Sequence, residues 1–183
     1  MKTPDERALL ERARCFDLQA LEEIYDRFSP GLYVYAVRLL GNPCQAEDCV
    51  AETFSRLLQG LKAGRGPQEY LQAYLYRIAQ NWITDQYRRQ PPPPLSLEDG
   101  LPLAGEERTD QAAAEHWQAE QVRAALRRLT SDQRQVLTLK FYEGWDNEAV
   151  ARTVQKPVGA VKSLQHRALD ALRRMLSSAE EAV

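Results

Sequence analysis

Histidine is scarce in this chain: His116 and His166 are the only two, and they lie in different segments. Cysteine is little better represented, with Cys15, Cys44 and Cys49 forming an odd set that holds no C-x-x-C pair. Such usage argues against a disulfide framework and against a zinc site. Cys44 and Cys49 are also badly spaced to share a ligand on one helix. The motifs of catalysis are missing too: there is no H-E-x-x-H, no G-x-S-x-G and no phosphate-binding glycine loop. Asp26, Glu47, Asp48 and Asp85 could be imagined as paired acids, but beside arginines they read more simply as solvated helix faces. The sequence therefore points to no enzyme, no metal and no cofactor. No stretch approaches the roughly 18 consecutive apolar residues that a spanning helix needs. The opening MKTPDERALLERAR is charged from the start and has no apolar signal core. The expectation is a cytoplasmic protein without membrane insertion.

What is present is ordinary in amount and uneven in arrangement. With 44% hydrophobic and 27% charged residues, the 183 residues suit one large soluble domain or two small ones. The net charge of −2 alone would argue against nucleic acid. Its distribution says otherwise: residues 1–90 are neutral overall, residues 91–121 carry −6 and residues 122–183 carry +4. Between Arg152 and Arg174 six basic residues face one acid, Asp170. A balanced N-terminal half, an acidic connector and a basic C-terminal element make a two-part design.

Apolar periodicity is helical almost throughout, which predicts an all-α fold. Leu21, Ile24, Tyr25 and Phe28 form one stripe that Pro30 is expected to close. Leu32, Tyr35, Ala36 and Leu39 form the next, ending at Gly41 as a C-terminal cap. Asn42 and Pro43 then read as an N-cap and first helical residue, opening a helix with Val50, Phe54, Leu57, Leu58 and Leu61 inward. After the loop KAGRGPQE, Leu71, Tyr74, Leu75, Ile78 and Trp82 mark the inner face of another helix. The run QPPPP stops it, and from Pro91 to about Glu115 the chain is rich in proline, glycine and acid, an extended linker by composition. Domain bounds of 1–90 and 117–183, with a flexible linker at 91–116, follow. Beyond it, Val122, Ala125, Leu126 and Leu129 resume the helical stripe. Thr130 and Gln133 form a capping box for a helix through Val136, Leu137 and Phe141. Asp146 caps a short helix to about Val154, and Pro157 starts a long basic one with Val161, Ala168, Leu172 and Met175 inward. A short helix, a tight turn and a longer basic helix are a helix-turn-helix pattern.

Two polar faces stand apart from these stripes. On the last helix, Lys162, Ser163, His166 and Arg167 lie opposite Val161, Ala168 and Leu172. Basic and small polar groups there suit the phosphates and base edges of a major groove, in preference to the alternative of a solvated cationic face of a helical bundle. Before the prolines, Arg77, Asn81, Arg88 and Arg89 beside Tyr76 and Tyr87 combine charge with stacking surface, as binders of single strands need. Composition alone leans towards an ordinary exposed face there, with Asp85 and Arg89 paired one turn apart.

Taken in order, the segments resemble an extracytoplasmic-function (ECF, group IV) sigma factor of the sigma-70 family. QAEDCVAETFSRLL looks like the family's core-binding helix, commonly D-A-E-D-L-V-Q-E-T-F. AYLYRIAQNWITDQYRR looks like its promoter-melting helix, commonly A-W-L-Y-R-I-A-R-N-x-x-x-D-x-x-R-R. The stretch from LRRLTSDQRQVL to GAVKSLQHRALDALRR looks like its C-terminal domain, commonly ending G-T-V-K-S-R-x-x-R-A-R. The resemblance implies two helical domains that bind core RNA polymerase and promoter DNA, with an anti-sigma factor as inhibitor. By matching positions, Glu47, Asp48 and Glu52 would contact the polymerase, with Phe54 as packing. Tyr76, Arg77, Asn81, Arg88 and Arg89 would act at the separated −10 element, bordered by the Gly64–Gln68 loop. Lys162, Ser163, His166 and Arg167 would read the −35 element. The chain departs from the common pattern at Cys49 and Ala51 for Leu and Gln, and at Tyr74 for Trp. Gln155 replaces the turn glycine, where a positive φ would be strained. Leu164 and Leu169 replace arginines, which is expected to weaken phosphate contact. A free-standing helix-turn-helix regulator would want a dimerisation helix, and none is spare. A helical interaction protein would need neither the arginine row nor the basic last helix.

Overall fold

The structure, a computed structural model, describes residues 4–89 and 120–180, and side chains within these from Glu6 to Leu176. The expected linker at 91–116 lies outside the described residues. Among those residues the fold is all-α, with no strand.

Helix α1 spans Pro4–Arg14, α2 Leu18–Leu40, α3 Pro43–Lys62 and α4 Leu71–Arg89. The expected boundaries at the α2–α3 junction hold for the expected reasons. Gly41 takes φ 70° and its N–H reaches the Val37 carbonyl, while the Asn42 side chain accepts from Gln45 N–H at the head of α3. The expected break at Pro30 does not occur; α2 runs straight past it. Ile24, Phe28, Leu32, Tyr35, Ala36 and Leu39 stay in phase across the proline and are all buried. Pro30 itself is exposed, so the carbonyl it leaves without a helix N–H partner lies on the outer side of α2. A proline inside a helix costs about 3 kcal/mol, whereas each fully buried Leu or Ile returns about 1.5–3 kcal/mol. Several such residues on one stripe outweigh one proline.

α2, α3 and α4 enclose a core of Ile24, Leu32, Leu39, Leu57, Leu75 and Ile83. Within it the Tyr35 hydroxyl donates to Gln80 Oε1 at 2.6 Å, satisfying a fully buried phenol. The first helix fastens the loop before α4: Glu6 Oε1 accepts from the Leu71 N–H at 2.7 Å, and Arg14 donates to the Pro67 carbonyl at 2.8 Å. Cys49 is buried, its thiol donates to the Ala79 carbonyl at 3.8 Å, and burial pushes its pKa up to about 12. Cys15 and Cys44 are exposed. A thiol reagent at neutral pH is expected to modify Cys15 and Cys44 promptly and Cys49 only on unfolding. Prompt labelling of all three would contradict the burial.

The second bundle holds helix α5 (residues 120–128), α6 (Ser131–Leu137), a π-helical turn (Thr138–Tyr142), α7 (Asn147–Val154) and α8 (Val158–Glu180). Its core is Leu126, Leu129, Val136, Leu139, Val150, Val161 and Ala168. Thr130 and Gln133 form the expected capping box. Phe141, placed on the same expected helix as the buried Val136 and Leu137, is 58% exposed. The Thr138 hydroxyl bonds the Arg134 carbonyl at 2.9 Å, and the Glu143 N–H returns to the Thr138 carbonyl five residues back at 3.2 Å. That widened turn shifts the helical phase, so a residue that α-periodicity would bury swings outward.

Between α7 and α8, Gln155 sits in the left-handed region at φ 54°, ψ 42°. A side chain there costs about 1–2 kcal/mol relative to right-handed backbone, and glycine escapes the cost. Gln155→Gly is therefore expected to stabilise the chain by about 1 kcal/mol, read as a rise in the urea midpoint. An unchanged or lower midpoint would contradict the strain.

The bundles touch. α4 packs on α7 and, more lightly, on α6.

Candidate nucleic-acid interface

On α8, Lys162, Ser163, His166 and Arg167 are all exposed, while Val161, Leu164 and Ala168 behind them are buried. The alternation follows from helical period: the apolar stripe seats α8 on α6 and α7, which leaves the polar residues outward. The face is locally braced. Ser163 donates to the Gly159 carbonyl at 3.1 Å, and Arg167 Nε donates to the Ser163 carbonyl at 3.3 Å. One turn on, Asp170 accepts from Arg173 at 3.3 Å and sits 3.3 Å from His166 Nε2. Leu164 is 9% exposed. The expectation that it removes a phosphate-contacting cation is corrected: this position points into the bundle. Leu169, at 37% exposure, is on the surface.

α4 presents two environments rather than one polar row. Asn81, Arg88 and Arg89 are exposed, and Arg77 is half-buried with its guanidinium 5.4 Å from the Tyr74 ring centre. Arg88 lies 3.6 Å from Asp85, so the acid pairs with Arg88. Tyr76, Gln80, Thr84 and Tyr87 form a different row, turned towards the C-terminal bundle and the end of α2. Tyr76 is 3% exposed. Its ring lies 5.1 Å from that of Tyr35, edge to face, and 4.9 Å from that of Trp145, tilted. Its hydroxyl donates to Glu143 Oε2 at 2.9 Å. Burial first, and the Glu143 carboxylate second, push the Tyr76 phenol well above its ordinary value, so it stays protonated and donates. Arg38, in the last turn of α2, reaches the same carboxylate at 3.5 Å and the Tyr142 carbonyl at 3.3 Å. Further along, Thr84 and Ser131 hydroxyls meet at 2.9 Å.

At the C-terminal end of α2, one arginine of the second bundle and a tyrosine of α4 meet its carbonyls. Arg127 donates to the Leu40 carbonyl at 3.1 Å, and Tyr87 donates to that of Leu39 at 2.6 Å. The Arg134 guanidinium lies 4.3 Å from the Tyr87 ring centre. Cations at a helix C-terminus are favoured by its dipole, yet Nε of Arg123, Arg127 and Arg134 has no hydrogen-bond partner among the described residues. Arg38, Glu143 and Trp145 carried no signal in the sequence beyond a helix break at EGW. Nothing local says that this turn meets another bundle.

On α3, Glu47 and Asp48 are exposed, and Glu52 is half-exposed and accepts from Arg56 at 2.7 Å. Phe54 is buried, its ring 4.8 Å from that of Tyr25. The three acids thus line the outer side of α3, away from the bundle contact.

Comparison with known proteins matches two family descriptions to this chain. A family described as Sigma-70 region 2 matches residues 24–91, and one described as Sigma-70, region 4 matches residues 119–172. The chain is 30% identical to the ECF RNA polymerase sigma factor SigL of Mycobacterium tuberculosis, over 92% of this chain and 96% of that protein. It is also 30% identical to the ECF RNA polymerase sigma factor BldN of Streptomyces coelicolor over 92% of this chain, spanning 64% of BldN. Among solved structures, CnrH in complex with the cytosolic domain of CnrY is similar in fold, with TM-score 0.69 and 22% identity over 94% of this chain and 97% of that one.

Proposed function

The chain belongs to the ECF sigma factors of the sigma-70 family, and from that premise we propose how its parts divide the work of promoter recognition. It is a transcription initiation factor, not an enzyme. Residues 1–90 form the domain that binds core polymerase through Glu47, Asp48 and Glu52 and holds the −10 strand through Tyr76, Arg77, Asn81, Arg88 and Arg89. Residues 117–183 form the domain whose Lys162, Ser163, His166 and Arg167 read the −35 duplex. Residues 91–116 link them. The observation that carries this reading is the α8 face: four polar residues, all exposed, on the second helix of a helix-turn-helix. Asn81, Arg88 and Arg89 add an exposed polar set on the melting helix, with the charge that a strand backbone requires.

The work is done in the cytoplasm, where the polymerase is. Among the described residues no helix is long and apolar enough to cross a membrane. CnrH is in complex with the cytosolic domain of CnrY in its structure, and RpoE of Bartonella quintana with the anti-sigma factor NepR in another; an anti-sigma factor is the third partner. The test is co-elution of the purified chain with core RNA polymerase, followed by transcription from fork-junction templates. Retention by core, with initiation that falls on Asn81→Ala, supports the division. Tight duplex binding without retention by core would replace it with a free-standing regulator.

A further inference from the structure

We propose that Arg38 and Tyr76 form a phosphate site for the opened DNA strand, which the Tyr142–Trp145 turn masks in the free chain by placing the Glu143 carboxylate in it. The site rests on the reading of α4 as the strand-holding helix. Its parts come from two helices of the N-terminal bundle: a guanidinium at the end of α2 and a phenol on α4, both on one anionic group. An arginine and a hydroxyl group donate to a phosphate oxygen as readily as to a carboxylate oxygen. The fold makes room for that phenol: a Cβ at Gly31 would fall 2.9 Å from the Tyr76 hydroxyl oxygen. Arg38 is the one member that the sequence motifs do not cover, and it adds a cation to the Tyr76 side of α4 through the shared Glu143 carboxylate.

The mask is tight at its centre and loose at its edge. The Glu143 side chain is 13% exposed, whereas that of Arg38 is 42% exposed. Trp145 covers the Tyr76 ring. At the Leu40 and Tyr87 end of the same contact between bundles, Nε of Arg123, Arg127 and Arg134 has no hydrogen-bond partner among the described residues. Buried donors without acceptors oppose closure, and an ion pair at the water's edge is screened by salt. The closed form therefore holds the strand site shut without being so stable that a partner could not part the bundles.

The test uses the full-length chain and a short fluorescein-labelled single-stranded DNA of mixed sequence. Glu143→Gln keeps the size of the side chain and removes the charge. It is expected to raise the radius of gyration in small-angle X-ray scattering and to tighten DNA binding about tenfold, since apparent affinity scales with the open fraction. Arg38→Glu alone opens the chain without that gain. Arg38→Glu combined with Glu143→Arg restores compactness and still binds DNA poorly, a rescue that general unfolding could not produce. A Glu143→Gln chain that stays helical by circular dichroism, and as compact as the parent, overturns the mask. One that opens but binds DNA no better overturns the phosphate site. Failure of the sigma reading itself is seen separately, as loss of retention by core polymerase in the parent chain.

Discussion

Arg167→Ala is expected to lower initiation about 5- to 150-fold on templates carrying an intact −35 element, the equivalent of 1–3 kcal/mol for one good base contact. On fork templates that present only the −10 region it should change little. Arg167 is exposed, and among the described residues it bonds through Nε to the Ser163 carbonyl alone, which leaves the rest of the planar donor fork for a guanine edge or a phosphate. The substitution lies on the side of α8 opposite Val161, Leu164 and Ala168, so stability should shift by no more than about 0.5 kcal/mol. Which contact Arg167 makes is read from sequence dependence and salt. A phosphate contact would weaken all duplexes alike and reduce the salt slope by about one, whereas a base contact would relax preference at one position. Lys162→Ala is the internal comparison, since an ammonium on a flexible stem contacts phosphate as a point charge. Equal loss on templates with and without the −35 element would sink the assignment of this face.

How much of this was legible beforehand depended on whether the deciding interactions were local. Gly41, Asn42, Thr130 with Gln133, and Asp146 mark helix ends by satisfying backbone groups within a few residues, so their meaning is written in the neighbouring sequence. The α8 face was legible for the same reason: period alone separates Lys162, Ser163, His166 and Arg167 from Val161 and Ala168. Pro30 misled because a local cost was overruled by tertiary burial along the rest of α2. Phe141 lies where the chain passes from α to π between Thr138 and Tyr142, a change of phase that nothing in the neighbouring sequence marks. The row Tyr76, Gln80, Thr84, Tyr87 was missed for a further reason. Amphipathic analysis assumes one buried face, and α4 has two, the second facing Glu143, Ser131 and Arg134 from a bundle more than forty residues away in sequence.

Tyr76 is where both kinds of burial meet, and the two substitutions that separate them should behave very differently. Tyr76→Ala removes a ring held between Tyr35 and Trp145 at 5.1 and 4.9 Å. It is expected to cost about 3–5 kcal/mol, a large share of the roughly 5–15 kcal/mol that holds a domain together. Tyr76→Phe keeps the ring and deletes only the donor to Glu143, which retains Arg38. Its cost should be nearer 1 kcal/mol, and it should loosen the contact between bundles while each stays folded. Alkali offers an independent check. Burial, then Glu143, raises the folded-state pKa of Tyr76, so above an ordinary tyrosine value of about 10 the unfolded chain loses a proton that the folded chain keeps. The folded state then binds more protons, and stability present below pH 10 falls as pH rises. Tyr35 and Tyr87, also raised by burial, contribute the same trend, so Tyr76→Phe should flatten the alkaline decline without abolishing it. Urea titrations at neutral and alkaline pH measure both effects. A Tyr76→Phe chain as unstable as Tyr76→Ala, or an alkaline decline identical to the parent's, would show that the hydroxyl is not held between the bundles as described.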